Sequence, residues 1–296
     1  MGVQKAIRVA FTLDDIPLWP KSSPPDGFTE ASIMQRISNA LTRNGASGVY
    51  GFGNSWSLAK QPELATVLDA WVDAGHYVGN HTHNHPVLTE IGAERYCWEI
   101  DVADGHLAPW LAKAPTRFFR YTLCHWGDME EKRAKVRGHL AARGYKPAEV
   151  TSWWYEWHWN RAWRNARDRG DQSAMTRLER DFVEACVVQL RHDHAALRDY
   201  FGRDVPSISL GHTVPFFAET ADALFERLVA EGVEFISLDE AAADQAYVRV
   251  ASVVSSKFLV YHQKLADAEG RPLPVLAPDL EGLHQSVLVE ASGRSD

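Results

Sequence analysis

Two short stretches hold residue types that could do metal-assisted hydrolysis. The first is Asp14-Asp15, which ends the mostly apolar run from Ala6 to Leu13. The second is Gly79-Asn80-His81-Thr82-His83-Asn84-His85-Pro86, with three histidines within five residues. Pro86 disfavours helical geometry at His85, so His81 is placed at a strand end and His85 on a turn. Both imidazoles can still converge on one ion. Two histidines suit zinc or another first-row metal, and one carboxylate oxygen completes a three-ligand site with an open position. The second carboxylate can then stand beside the activated water as a base. Adjacent side chains on an extended strand point to opposite sides, so the two aspartates are expected to divide these tasks. His83 reads as an outer or solvent-facing residue.

These residues need a scaffold that brings two distant stretches together. Apolar runs at 6–13, 47–52, 76–79, 116–120, 150–154, 207–210 and 233–238 read as strands. Helical patterns lie between them, at 29–44, from Pro62 onward, and at 92–112, 128–143, 173–200 and 217–231. Thr29 is the expected N-cap of the first helix, and Gly45, Gly75, Gly144 and Gly232 mark helix ends. Seven strands alternating with helices imply a parallel sheet with helical crossovers, either a closed barrel or an open doubly wound sheet. The length favours the barrel. The fold class is therefore α/β, a distorted seven-stranded (β/α) barrel over residues 1–245. Residues 246–296 do not continue the alternation and are expected to be a C-terminal extension, an appendage rather than a separate domain. Its polar end, Ala291 to Asp296, should fray. Asp14-Asp15 and the histidine cluster both fall at carboxyl ends of strands, the face on which barrels build their sites. The loop Pro17 to Gly27 follows the aspartate pair and should lie over it.

Composition excludes several classes. The 296 residues are 45% hydrophobic and 24% charged, ordinary for a globular protein, and the net charge is −8. That balance gives no electrostatic footprint for nucleic acid. No basic run or bilayer-length apolar run points to a membrane. Three widely spaced cysteines form neither a disulfide framework nor a zinc cluster. With no leader pattern ahead of the first strand, a cytoplasmic location is expected. The eleven tryptophans are unusual, because five fall between Trp153 and Trp163.

In order, Thr12-Leu13-Asp14-Asp15, His81-Thr82-x-x-His85-Pro86, Phe118-Phe119-Arg120 and Leu210-Gly211-His212 resemble motifs of the polysaccharide deacetylases, carbohydrate esterase family four. The closing strand, Val233 to Ala241, is similar too, so the resemblance covers roughly residues 6–245. It implies a distorted seven-stranded barrel. It also implies that Asp14 is the catalytic base, that Arg120 orients it, and that His212 is the general acid. Asp15, His81 and His85 would bind one divalent metal, with zinc the expectation and cobalt or nickel as alternatives. The implied reaction is metal-dependent hydrolysis of an N-acyl group.

Two motifs depart from the family. Thr122 and Leu123 stand where proline and tyrosine are usual. The backbone N–H of Leu123 can still serve as an oxyanion donor. The fourth motif's aspartate-rich segment is replaced by Thr151-Ser152-Trp153-Trp154-Tyr155-Glu156-Trp157-His158-Trp159. Glu156 is its only carboxylate and the candidate partner for the acid histidine. The aromatic run reads as a partly exposed wall on which a sugar ring or aromatic metabolite could stack, with Trp154, Glu156 and Trp157 as substrate contacts. The expected substrate is a soluble acylated amino sugar or other N-acyl metabolite, taken by a chain that could also form a homo-oligomer. Three alternatives remain at this point: a hydrolase of cyclic amides or ureides on the same site, a degenerate binder without turnover, and a mononuclear iron oxygenase.

Overall fold

Ile7–Ile16 forms β1, the central strand, and its residues from Val9 onward are buried. Such continuous burial is what a strand covered on both faces requires, and it explains the unbroken apolar run. In the computed structural model, which describes residues 6–19, 23–252 and 257–293, every paired strand runs parallel to its neighbours. Met1–Lys5, the centre of the loop 17–27 and the tip of the polar tail lie outside the described residues.

The other strands are β2 (Tyr50–Gly53), β3 (Tyr77–Asn80), β4 (Phe118–Phe119), β5 (Lys146–Pro147), β6 (Ser152–Trp153), β7 (Ser207–His212) and β8 (Val233–Phe235). The helices are α1 (Glu30–Arg43), α2 (Ser55–Lys60), α3 (Ala65–Asp73), α4 (Ala93–Leu111), α5 (Glu130–Ala142), α6 (Glu156–Asp168), α7 (Gln172–Phe201), α8 (Pro215–Ala230), α9 (Leu238–Ala242), α10 (Tyr261–Ala268) and α11 (Glu281–Ser292). Thr29 caps α1 as expected, accepting a hydrogen bond from Ser32 N–H.

The strand order is β5-β4-β3-β2-β1-β7-β6, with β8 paired to β1. Strands β5 and β6 are two halves of one extended passage. Phe119 O accepts from Ala148 N–H on one side, and Ile208 O accepts from Thr151 N–H on the other. Residues 146–153 therefore join the two edges of the curled sheet without a crossover. Counted this way there are seven strands, and the expected distorted barrel is found.

Glycines on β3 and β7 let aromatic rings lie across the sheet. A Cβ at Gly79 would sit 2.5 Å from the Phe52 ring, and one at Gly211 would sit 2.9 Å from Phe11. Both glycines precede the site histidines, so the close approach sets where β3 and β7 deliver His81 and His212.

One expectation is corrected. The segment from Trp154 to Trp163 is not a partly exposed wall, because α6 begins at Glu156 and most of these tryptophan rings are buried. Trp159, Ala162, Trp163 and Ala166 recur at helical spacing and are buried, with Trp159 packed against Phe182 and Phe216. A short helix, α2, also follows β2, in a stretch to which the sequence reading assigned no element. The C-terminal extension packs against the barrel. Residues 261–266 are buried throughout, and Tyr261 N–H donates to Val150 O (2.7 Å), in the link between β5 and β6. Lys264 Nζ lies 3.7 Å from Glu149 Oε2 and 4.0 Å from the Trp126 ring centre, with all three residues buried.

Candidate metal and hydrolytic site

The register between β1 and β2 shifts between Asp14 and Ile16, leaving Asp15 as an extra residue with φ 64°. A bulge of this kind re-aims a side chain, and aspartate tolerates the left-handed region better than most residues. The alternation expected for an extended strand is therefore broken here. Both carboxylates turn to the same imidazole: His81 Nε2 lies 3.6 Å from Asp14 Oδ2 and 3.7 Å from Asp15 Oδ1. Thr213 Oγ1 donates to Asp15 O (2.6 Å) and fixes the bulge from β7's side.

The histidine loop is held just as firmly. Asn80 Oδ1 accepts from Thr82 N–H, and Thr82 Oγ1 accepts from His85 N–H. Thr82 and His85 have φ 71° and 53°. Non-glycine residues in this region carry backbone strain, which these side-chain bonds hold in place. His81 Nδ1 lies 2.8 Å from Arg120 O. That bond puts the proton on Nδ1 and leaves the Nε2 lone pair facing the aspartates. His85 Nε2 is 3.9 Å from Asp15 Oδ1. One ligand atom each from Asp15, His81 and His85 falls within 4.8 Å of the others. Asp15 Oδ1 is buried and has no hydrogen-bond partner among the described residues. An orphaned carboxylate oxygen facing two imidazole nitrogens fits a divalent cation of the zinc class.

Asp14 sits beside this group and opposite His212 in the β1–β7 register. Arg120 Nη1 approaches Asp14 Oδ1 at 3.4 Å, and its Nη2 donates to Thr12 Oγ1 (3.0 Å). The guanidinium also lies over the Phe52 ring. Arg120 is thus fixed by three contacts inside the barrel, and the Thr12 and Asn80 supports were not singled out from the sequence. Both are polar residues inside strands, where only the tertiary contacts reveal a role.

His212 Nδ1 is 2.5 Å from Glu156 Oε1, and Glu156 is completely buried at the start of α6. Glu156 is therefore not placed to touch a substrate; it holds His212, in the partnership the fourth motif normally supplies. Trp157 stands in the cleft with its ring 4.7 Å from that of His212. Trp154 is corrected as a substrate contact. It is 3% exposed and stacks on Phe11 at 5.8 Å and Phe217 at 6.5 Å, because alternation along the strand end turns it into the core. Leu123 is part-buried in the turn Thr122–Cys124 with φ 51°. Thr122 Oγ1 donates to Pro86 O, which ties this turn to the histidine loop. His83 contacts Ser55 and stacks on His106, away from the ligand group.

Burial governs the protonation of the cluster. It lifts Asp15 to about 8, opposed by His212 and reinforced by Asp14 and Glu156. It also raises Asp14, against the pull of Arg120. Burial drives His81 down to about 3 and His85 well below its ordinary value, so both rings are neutral and able to coordinate. Burial opposes charge on His212 too. There the field and hydrogen bond of Glu156, with Asp15 and Asp14 adding to them, outweigh it and lift the pKa to about 9. At neutral pH the site thus holds neutral imidazoles at the ligand end and an imidazolium at the other.

A cleft of about 470 Å³ opens over Asp15 and His212. Trp19, from the loop after β1, lines it with its ring 4.5 Å from that of His85. The described part of that loop therefore lies over the site, as expected.

Residues 2–140 match the family model for polysaccharide deacetylases. The motif resemblance is thus borne out over the stretch that carries Asp14, Asp15, His81, His85 and Arg120. Solved structures of the same kind share the fold. A peptidoglycan N-acetylglucosamine deacetylase is 16% identical, with 80% of this chain and 88% of that chain covered and a TM-score of 0.51. A CE4 family pseudoenzyme from Bacillus anthracis is 14% identical, with 80% and 65% covered and a TM-score of 0.50. At such identity the likeness is one of fold. No protein of curated function matches the chain in sequence. Among the described residues no helix is long and apolar enough to cross a membrane.

Proposed function

We propose that this polysaccharide-deacetylase-like chain is a metal-dependent hydrolase of a C–N amide bond that removes the acyl group from a soluble acylated amino sugar or other N-acyl metabolite. One observation carries the reading: the convergence of Asp15, His81 and His85 with a second carboxylate, Asp14, and a carboxylate-paired imidazole, His212, in one cleft. Asp15, His81 and His85 would hold the divalent metal, with zinc first and cobalt or nickel as alternatives. Bound there, it would supply Lewis acidity toward the amide carbonyl and acidify the attacking water.

The chain's own residues do the rest. Asp14, oriented by Arg120, accepts the water's proton as the oxygen attacks the carbonyl carbon. His212, kept protonated by Glu156, gives its Nε2 proton to the amide nitrogen as the C–N bond breaks. The products are a carboxylate and an amine. The N–H of Leu123 is the proposed backbone donor to the oxyanion, and Trp157 the proposed stacking surface. A cytoplasmic location and possible homo-oligomerisation belong to the same proposal.

The test is metal content and product release together. Purified protein should hold about one metal per chain. His81→Ala should lose it, along with acetate release from N-acetyl substrates. Native protein that takes up no zinc, cobalt or nickel would overturn the reading.

A further inference from the structure

The cleft has two chemically distinct ends. Its inner end is lined by Asp15 and His212. Its outer wall is one face of α6, where Trp157, Asn160, Arg161 and Arg164 recur at intervals of three, one and three residues, the helical spacing for one stripe. The opposite stripe, Trp159, Ala162, Trp163 and Ala166, is buried, so packing of the core fixes which way the arginines face. Neither Arg161 nor Arg164 has a carboxylate partner among the described residues, although the chain has 39 acidic residues against 31 basic ones. Arg167 on the same helix is engaged, donating to Asp26 O and lying over Phe28. With a rise of about 1.5 Å per residue, Arg161 and Arg164 stand roughly 6 and 10 Å along the axis from Trp157. Trp157 itself packs on His212.

We infer that the cleft selects an N-acyl substrate carrying an anionic group, a carboxylate or a phosphoryl, which Arg161 and Arg164 bind while the uncharged acyl amide enters the end lined by Asp15 and His212. The orientation of the acyl group rests on the function proposed above; the anion site itself does not. Guanidinium forks suit both oxyanions. Arg161 and Arg164 stand at the outer wall of the cleft, where salt should weaken the binding of an anion.

The test is calorimetric titration of the metal-loaded full chain with N-acetylglucosamine, N-acetylglucosamine 6-phosphate and N-acetylneuraminate, beside acetate-release rates on the same three. At least one anionic ligand should bind roughly 10- to 100-fold tighter than the neutral sugar, and which one separates phosphoryl from carboxylate recognition. In Arg161→Ala/Arg164→Ala that ratio should fall toward one. Arg169→Ala, which removes one equal charge from the exposed end of α6, should keep it. Arginine-dependent selectivity without any acetate release would support the anion site and defeat the proposed hydrolysis. Turnover or binding with a ratio near one, or a ratio unmoved by the double substitution, would overturn the inference and leave hydrolysis standing. No binding of any of the three would overturn it as well.

Discussion

Replacing Glu156 with glutamine isolates the charge that holds His212. The folded pKa of about 9 stands above the ordinary 6.5, even though burial of the ring works the other way. At ~1.4 kcal/mol for each pH unit, that gap is worth about 3 kcal/mol of folding stability. The folded pKa is the raised one, so the contribution is complete below pH 6.5 and lost as pH climbs through 9. Glutamine keeps the size and a hydrogen bond but removes the negative charge, leaving burial to dominate. Urea unfolding of chelator-treated protein at pH 6, 7.5 and 9.5 reads this directly. Glu156→Gln should be less stable than the parent by up to about 3 kcal/mol at pH 6, with the difference shrinking toward zero by pH 9.5. If hydrolysis proceeds as proposed, the alkaline limb of its rate should also move from near 9 to lower pH. A stability difference that stays constant across this range would refute the charge pairing and reduce Glu156 to a packing residue.

Other perturbations probe separate parts of the structure. Zinc affinity should weaken by up to tenfold per unit as pH falls from about 8, since the metal must displace the proton that burial keeps on Asp15; calorimetry in buffers of differing ionisation heat would count that proton. Lys264→Met should cost roughly 3–5 kcal/mol by leaving Glu149 buried without its cation, and the double change with Glu149→Leu should recover most of it, as thermal melts would show. Trp154→Ala should lose roughly 3–5 kcal/mol of stability yet still bind metal, whereas Trp157→Ala should melt close to the parent and bind N-acyl ligands less well.

The candidate metal-binding half of the site was open to sequence reading because its residues sit in short local patterns. Asp14-Asp15 and His81-x-x-x-His85 each fall within a few positions, at ends of strands that apolar runs make visible. Glu156 stood out as the single carboxylate in an aromatic segment, and its pairing with His212 follows once α6 starts there. The tryptophans were harder. Trp154 and Trp157 are only three residues apart, yet one belongs to the core and the other to the cleft. The strand ends and the helix begins between them, and the side-chain period changes at that point. The helical stripe in α6 was masked by reading the aromatic run as an exposed wall. Lys264 offered no local sign at all, since a lysine in a polar-looking C-terminal stretch reads as surface.

By itself, the sequence determined the alternating parallel βα architecture and the candidate metal and acid–base side chains, because periodicity and short motifs are local. Only the tertiary structure decided their geometry. The bulge that swings Asp15 to the side of Asp14 depends on how β2 and β7 register against β1. The closure of the barrel depends on residues 146–153 reaching both sheet edges, and the burial of Lys264 on α10 packing beside that join. Each of these is set by contacts between residues far apart in the chain, whose burial and hydrogen bonding no local pattern encodes.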